Sequence, residues 1–328
     1  MASFIQSANV LVSRVASWVG AIPVSTTSTA SSFNATTFVI TASASVTGIA
    51  VGDFISNSTM GPFTLVTAVS GSTITVNDPD GVWAAATLPA TIVKLPSNVV
   101  SEILSCIQLC ELKMRTCELP ALRTNPYDAT NPTTLTTDAQ GMAAIPADMN
   151  WPILFFQQTP NSSVTPGTPQ ANMGPWIIYD RVGDREIIRR KMIDQLYVKP
   201  FGVPRVIRAS FSEVGPNYVF TPSPGAGVVI NAYYIRTFPF LFSPTQSSTY
   251  PIVMSNAVLA SFPEGYLYGT LWAYYSKNKN NEEAAKWEAE FDDAYGLIED
   301  QNFKDKWHGG DQHLTSEFQP RDYRYSYR

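Results

Sequence analysis

Charge, histidine and cysteine are all scarce in this chain. Lys, Arg, Asp and Glu make up 15% of the 328 residues, with two histidines and three cysteines. In the first hundred residues the only charged side chains are Arg14, Asp53, Asp78, Asp80 and Lys94. A surface so poor in charge is covered by Ser, Thr and Gly, or by other subunits. The net charge of -5 argues against a protein that grips nucleic acid through its phosphates, though not against one that DNA slides past. No run of eighteen apolar residues occurs, and residues 1–22 lack the basic start and long apolar stretch of a signal peptide. The expectation is a protein with no membrane partner, made and kept in the cytoplasm unless it is packaged into a particle there.

Signatures of chemistry are missing too. There is no phosphate-binding Gly-x-x-x-x-Gly-Lys loop, no dinucleotide-binding glycine pattern and no His-Glu-x-x-His. Pro222 to Gly227 is rich in Pro and Gly but lacks a lysine and a following helix, so it reads as a turn. A histidine-dependent nucleophile would have to use His308 or His313, both beyond the last apolar periodicity. Cys106, Cys110 and Cys117 run with Ile103, Ile107 and Met114 on a predicted helix, and read as buried small hydrophobes rather than metal ligands or a redox pair. Adjacent Asp292 and Asp293 point in different directions on a helix. Asp184 and Glu186 suit a helix start, and Asp78 and Asp80 a turn, with calcium binding the sharper alternative for the latter pair. The expectation is therefore no enzyme: no catalytic residue, no cofactor and no metal.

The chain changes texture twice. A helix is predicted over 4–19, with Ile5, Val10, Leu11, Val15 and Trp18 as its apolar positions. From 24 to 96 the sequence is Ser/Thr-rich, with short β-favouring runs at 36–41, 53–56, 63–69, 73–77 and 91–95 and a hairpin turn at Ser70-Gly71-Ser72. Five short strands suit a small barrel or sandwich. A helix over 98–117 follows, then a polar linker at 124–141. Strands are predicted at 153–157, 176–179, 206–211, 217–221 and 227–236, with a helix at 185–196 that carries the densest basic cluster, Arg185, Arg189, Arg190 and Lys191. That cluster reads as a solvated or subunit-pairing face, with nucleic-acid contact the alternative. A β module bracketed by helices suggests an insertion into a helical core. The predicted fold class is α+β: a core of residues 1–23 and 97–302 with helices and a small antiparallel sheet, an inserted small β-barrel or β-sandwich module at 24–96, and an extended arm at 303–328.

Residues 262–302 read as two amphipathic helices. The first starts near Glu264 after Pro263, with Leu267, Leu271 and Tyr274, or Tyr268, Leu271 and Tyr275, on an aromatic face. Asn280 and Glu283 have capping-box spacing for the second. Its apolar stripe is Ala284, Trp287, Phe291, Tyr295 and Ile298, and the rest is acidic, with Lys286 as the one basic residue between 282 and 300. The tail beyond it alternates Tyr and Arg. Arg321, Tyr323, Arg324, Tyr325, Tyr327 and Arg328 cannot build a core of their own, yet they are residue types that anchor interfaces, and they are the candidate protein-contact residues, with simple disorder and nucleic-acid contact as the alternatives.

Four local patterns carry a family resemblance: Ile145-Pro146-Ala147-Asp148; Gly202-Val203-Pro204 before a strand; the strand-turn-strand around Phe220-Thr221-Pro222 and Ala232-Tyr233-Tyr234; and the closing element from Phe262-Pro263 through Leu267-Tyr268-Gly269 to Trp287. In this order, over roughly 97–302, they resemble the head-to-tail adaptor (connector) family of tailed bacteriophages, particularly adaptors beneath the portal of short-tailed phages. The resemblance implies a structural virion protein at the head-tail junction, assembled in the host cytoplasm. It implies a ring, typically of twelve copies, bound to the portal protein on one side and to a tail nozzle or tail-tube protein on the other. DNA would pass through the channel without sequence-specific binding. The C-terminal segment would reach along the portal. The 24–96 module departs from the simplest adaptor pattern, and tail fibres are one partner it could hold. A tail-tube, nozzle or fibre-docking subunit is the alternative, and a receptor-binding protein a weaker one that the helices after 97 contradict. A tail-associated hydrolase would require a pocket joining Asp148, Asp184 or Glu213 to a basic or metal-bound partner.

Overall fold

The computed structural model describes residues 5–59, 61–116, 119–125, 133–158, 176–188, 190, 209–242 and 254–308, which hold helices and two different β-structures. The chain divides into two compact units, one made of Met1–Cys117 and Phe238–Arg328, the other of Glu118–Thr237.

In the first unit α1 (Ala8–Trp18) is started by Ser7, whose hydroxyl accepts from the Val10 N–H at 3.3 Å, a standard way to satisfy a free donor at a helix start. Leu11, Val12 and Val15 are fully buried, whereas Trp18 is about half exposed. Six strands follow: β1 (Val24–Asn34), β2 (Val39–Ala42), β3 (Phe54–Ser56), β4 (Thr64–Ser70), β5 (Thr73–Asn77) and β6 (Ala90–Lys94). They close into a barrel in the order β1-β2-β5-β4-β3-β6, every pair antiparallel, which decides between barrel and sandwich. Gly71, at φ 57°, begins the two-residue turn between β4 and β5, a backbone region that glycine enters without steric cost.

The barrel strand missing from the sequence reading is β1. Its composition, VSTTSTASSFN, offers no apolar alternation, yet it closes the barrel by pairing with β6 along its first part and β2 along its last, with register shifts in both pairings. Its hydroxyls bond neighbouring strands: Thr26 donates to the Ile92 carbonyl at 2.7 Å and Ser31 to that of Thr41 at 2.8 Å. The interior is filled by Ile40, Ile55, Val66, Ile74 and Ile92, and by Trp83, which arrives from the loop before β6. Both oxygens of Asp78 are taken by the backbone N–H groups of Val82 and Trp83, each at 2.8 Å, and the Trp83 indole N–H donates to Thr64 Oγ1 at 2.8 Å. An indole thus buried keeps its polar tip satisfied.

The barrel is fastened to its flanking helices rather than suspended between them. Ser7 donates to Asp80 at 2.6 Å, the Asn9 amide to the Asn77 carbonyl at 2.8 Å, and the Phe63 N–H to Ser13 Oγ at 2.7 Å. At the other end the buried Asp53 receives Lys94 Nζ at 3.1 Å, the Ser97 hydroxyl at 3.0 Å and the Ala50 N–H at 2.9 Å. Ser97 is the first residue of α2 (Ser97–Lys113), which a short 3₁₀ turn at Met114–Thr116 extends. The closing helices of this unit are α3 (Ala257–Ser261), α4 (Pro263–Lys277) and α5 (Asn281–His308). Pro263 sits at the first turn of α4, where its missing N–H costs nothing. α5 continues to His308, so its last six residues lie in the stretch read from sequence as an extended arm.

The second unit is built on one seven-stranded sheet: β7 (Thr134–Thr136), β8 (Met142–Ala144), β9 (Met149–Gln158), β10 (Trp176–Arg181), β11 (Ser210–Val214), β12 (Asn217–Thr221) and β13 (Val229–Arg236), in the order β7-β13-β9-β10-β11-β12-β8. It is larger than the small antiparallel sheet expected, and β10 runs parallel to β11. After β10 the chain is helical over 184–188, at the start of the helix predicted for 185–196. The stretch read as a linker at 124–141 contributes the edge strand β7. The two edges of the sheet, β7 and β8, are joined by residues 137–141, at most about 20 Å of chain, whereas seven flat strands span about 29 Å, so the sheet must curl. An aromatic cluster forms the core of this unit: Phe155 packs against Phe211 at 4.6 Å, Tyr218 at 5.0 Å and Phe220 at 5.6 Å between ring centroids.

Candidate assembly surfaces

The closing helices form a clasp around a glycine. α4 packs against both α5 and α2, and Gly269 lies where all three meet. A Cβ there would overlap the Cys110 sulfur of α2 and stand 2.7 Å from the Phe291 ring of α5. The buried face of α4 is Gly265, Tyr266, Gly269, Thr270, Leu271 and Ala273. Leu271 is where the apolar spacing puts it. Tyr266, whose ring is fully buried, escapes a reading that counts large apolar residues and not the glycines that admit a neighbour. On α5 the predicted stripe holds for Ala284, Trp287 and Phe291, and Ala294 joins it. The Asn280 side chain accepts from the Glu283 N–H at 3.4 Å, as its N-cap position predicts.

The outer face of α5 presents Glu282, Glu288, Glu290, Asp292 and Asp293 as exposed residues. It is less bare than the sequence suggests. Lys113, from the end of α2, reaches Asp292 at 3.4 Å and Glu288 at 3.9 Å, with its ammonium 4.4 Å from the Trp272 ring centroid and 4.7 Å from that of Phe291. One lysine thus offsets two carboxylates and caps two rings. Lys286 lies over the Trp287 ring at 4.9 Å. The remaining acidic groups keep this face negative.

Beneath the clasp is a buried polar knot that the sequence did not reveal. Glu111, fully buried on α2, accepts on Oε1 from the Leu241 N–H at 2.7 Å and the Tyr266 hydroxyl at 3.1 Å. Asn256 donates to the Tyr266 oxygen at 2.7 Å and to the Pro239 carbonyl at 2.9 Å, and its own oxygen starts α3 by accepting from the Leu259 N–H at 2.8 Å. Glu111 Oε2 is buried with no protein partner. Burial pushes this carboxyl from 4.5 up to about 7, against the lowering effect of its bonds from Leu241 and Tyr266. Burial, reinforced by the adjacent Glu111, likewise raises the Tyr266 phenol. A glutamate set between Cys110 and Leu112 in the last turn of an apolar helical run was the available signal.

In the second unit the Ile145-Pro146-Ala147-Asp148 pattern has a physical role. The Met149 N–H bonds the Pro146 carbonyl at 3.0 Å, turning the chain from β8 into β9. The Asp148 carboxylate then takes the Tyr234 hydroxyl at 2.9 Å and Arg236 Nε at 3.4 Å, and its carbonyl the Thr237 N–H at 2.7 Å, which pins the end of β13. Burial and the Asp148 bond push Tyr234 up to about 12.

The residues named for alternative chemistry are distributed as follows. Asp184 and Glu213 line one open polar depression with Arg181 and Ser212, while Asp148 is not among its lining residues. Asp184 there accepts from the Arg185 N–H at 2.7 Å, and the Arg181 guanidinium lies over the half-exposed Trp151 at 4.4 Å. Glu186 pairs with Arg190 at 2.9 Å, one turn along. Asp78 is spent on backbone N–H groups and Asp80 accepts from Ser7, so they do not frame a cation cage. Cys106 and Cys110 are buried free thiols, raised mainly by burial. Among the described residues no cluster of His, Cys, Asp and Glu could hold a metal, and no helix is long and apolar enough to cross a membrane. Cys117, Arg189, Lys191, Gly202-Val203-Pro204, His313 and the tail residues Arg321, Tyr323, Arg324, Tyr325, Tyr327 and Arg328 lie outside the described residues.

Compared with known proteins, residues 64–313 match the family model described as SU10 adaptor protein. The match begins at the first residue of β4, so it includes the second half of the barrel and every element after it, and leaves out α1 and β1–β3. No curated protein matches the chain.

Proposed function

The chain belongs to the SU10 adaptor protein family, a family of phage adaptors, and from that premise we propose that it is a structural virion protein of the head-tail junction. In this reading copies of the chain form a dodecameric ring that binds the portal on one side and tail nozzle or tail-tube protein on the other, around the channel through which DNA leaves. The observation that carries it is the family match, which runs from inside the barrel through the whole sheet and the helical clasp.

Features of the fold support it. The barrel is tied to α1 and α2 through Asp80, Asn77, Phe63 and Asp53, which suits a mount that transmits load. An exposed acidic helix face suits a wall that DNA passes without adhering. The Tyr/Arg tail supplies a contact to the portal. Imaging of particles, or of the purified chain mixed with portal, tests the reading by the subunit number and its position; absence from the head-tail junction would overturn it.

A further inference from the structure

The chain re-enters the first unit at Phe238, where buried Phe238, Leu241 and Phe242 and the polar knot around Glu111 hold it. Three residues of this entry segment are gripped by side chains: the Leu241 N–H by Glu111 Oε1, the Pro239 carbonyl by Asn256, and the Phe242 carbonyl by Gln108 of α2 at 3.2 Å. Tyr266 of α4 ties both grips together, donating to Glu111 and accepting from Asn256. Three separate pieces of chain, 238–242, α3 and α4, therefore meet at one carboxyl of α2, directly or through Tyr266.

Among the described residues that carboxyl has no counter-charge. The titratable groups acting on it or acted on by it are Tyr266 on α4 and Cys110 on α2 itself, both raised and so neutral. Segment 238–242 and Asn256 bring nothing that titrates, and no basic group is among those that act on the Glu111 carboxyl. Both hydrogen bonds use Oε1, which leaves Oε2 buried without a partner. An ionised carboxylate would spread half its charge onto that oxygen in apolar surroundings, at high cost. A neutral acid with its proton on Oε2 keeps both Oε1 bonds and places no charge there.

We infer that Glu111 is a proton-controlled latch: neutral, it clamps 238–242 and α4 to α2, and loss of the Oε2 proton to solvent loosens that clamp. The upward displacement of its titration into the neutral range agrees with this geometry. The inference does not depend on the portal reading, since it concerns how the first unit is held together.

Hydrogen exchange on the full-length chain tests it, comparing peptides over 238–242 with peptides over β12, at about pH 6 and about pH 8.5, corrected for the intrinsic pH dependence of exchange. The expected result is that protection of 238–242 falls by about tenfold or more relative to β12 as pH rises, and that Glu111→Gln, which cannot ionise, abolishes the difference. Equal changes in both segments of the wild-type chain would overturn the latch, whether or not the variant folds. Retention of the pH-dependent loosening in a folded Glu111→Gln variant would overturn it as well.

Discussion

The indole of Trp18, at the end of the first helix, meets that of Trp287 on the last helix edge-on, with ring centroids 5.1 Å apart at 89°. Tyr268 stacks against the same Trp287 at 5.7 Å. The edge contact joins residues far apart in the chain, and only Trp287 is buried. Trp287→Ala is expected to cost about 3–5 kcal/mol of unfolding free energy, and Trp18→Ala distinctly less. A double-mutant cycle by urea denaturation should return a coupling of about 0.5–1.5 kcal/mol between them. Strict additivity would mean that the edge contact contributes nothing beyond area.

Gly269→Ala forces a methyl into Cys110 and Phe291, and is expected to destabilise by about 1–3 kcal/mol. A methyl on Gly296, in α5, would meet no atom within 4 Å, so Gly296→Ala should be neutral or stabilise by up to about 1 kcal/mol through helix propensity. Paired denaturation curves check the contrast. Combining Gly269→Ala with Cys110→Ala should recover part of the loss.

Glu111 sets the sign of a pH dependence. Its folded-state value, about 7, lies above the 4.5 of the unfolded chain, so the stabilisation it contributes is full below about pH 4.5 and is lost as pH rises through 7. The loss is on the order of 3 kcal/mol once both titrations are complete. Unfolding free energies measured from about pH 5 to about pH 8.5 should show this decline in the wild type and a shallower one in Glu111→Gln.

Removing residues 319–328 takes away Arg321, Tyr323, Arg324, Tyr325, Tyr327 and Arg328. Affinity for the portal, measured by binding of the two purified proteins, should drop by about tenfold or more, about 1.4 kcal/mol, while the melting temperature stays unchanged. Undiminished binding would remove the tail from the contact.

What could be read from the sequence tracks how locally each feature is encoded. α1, α2, α4 and α5 announce themselves because Pro263, Asn280 and the three-four apolar spacing act within a turn or two. Strands β4, β5, β12 and β13 alternate or carry β-branched runs and are likewise visible. β1 is not, since its stability comes from closing a barrel between β2 and β6 and its side chains are mostly hydroxyls. The edge strand β7 is hidden in a Thr-rich stretch for the same reason. At the candidate surfaces the acidic face of α5 is legible. Its partial neutralisation by Lys113 is not, because nothing in the spacing of residues 113 and 292 shows that they meet. Nor is the Glu111 knot, which exists only once α2, α3, α4 and 238–242 converge.

The most direct test of the account is the mass and symmetry of the complex formed when the full-length chain is mixed with its portal, read by native mass spectrometry and particle imaging. The account predicts a closed ring of twelve copies seated coaxially on the portal with an open central channel. A chain that stays monomeric beside an unoccupied portal, or that binds it as isolated copies without closing a ring, would contradict it.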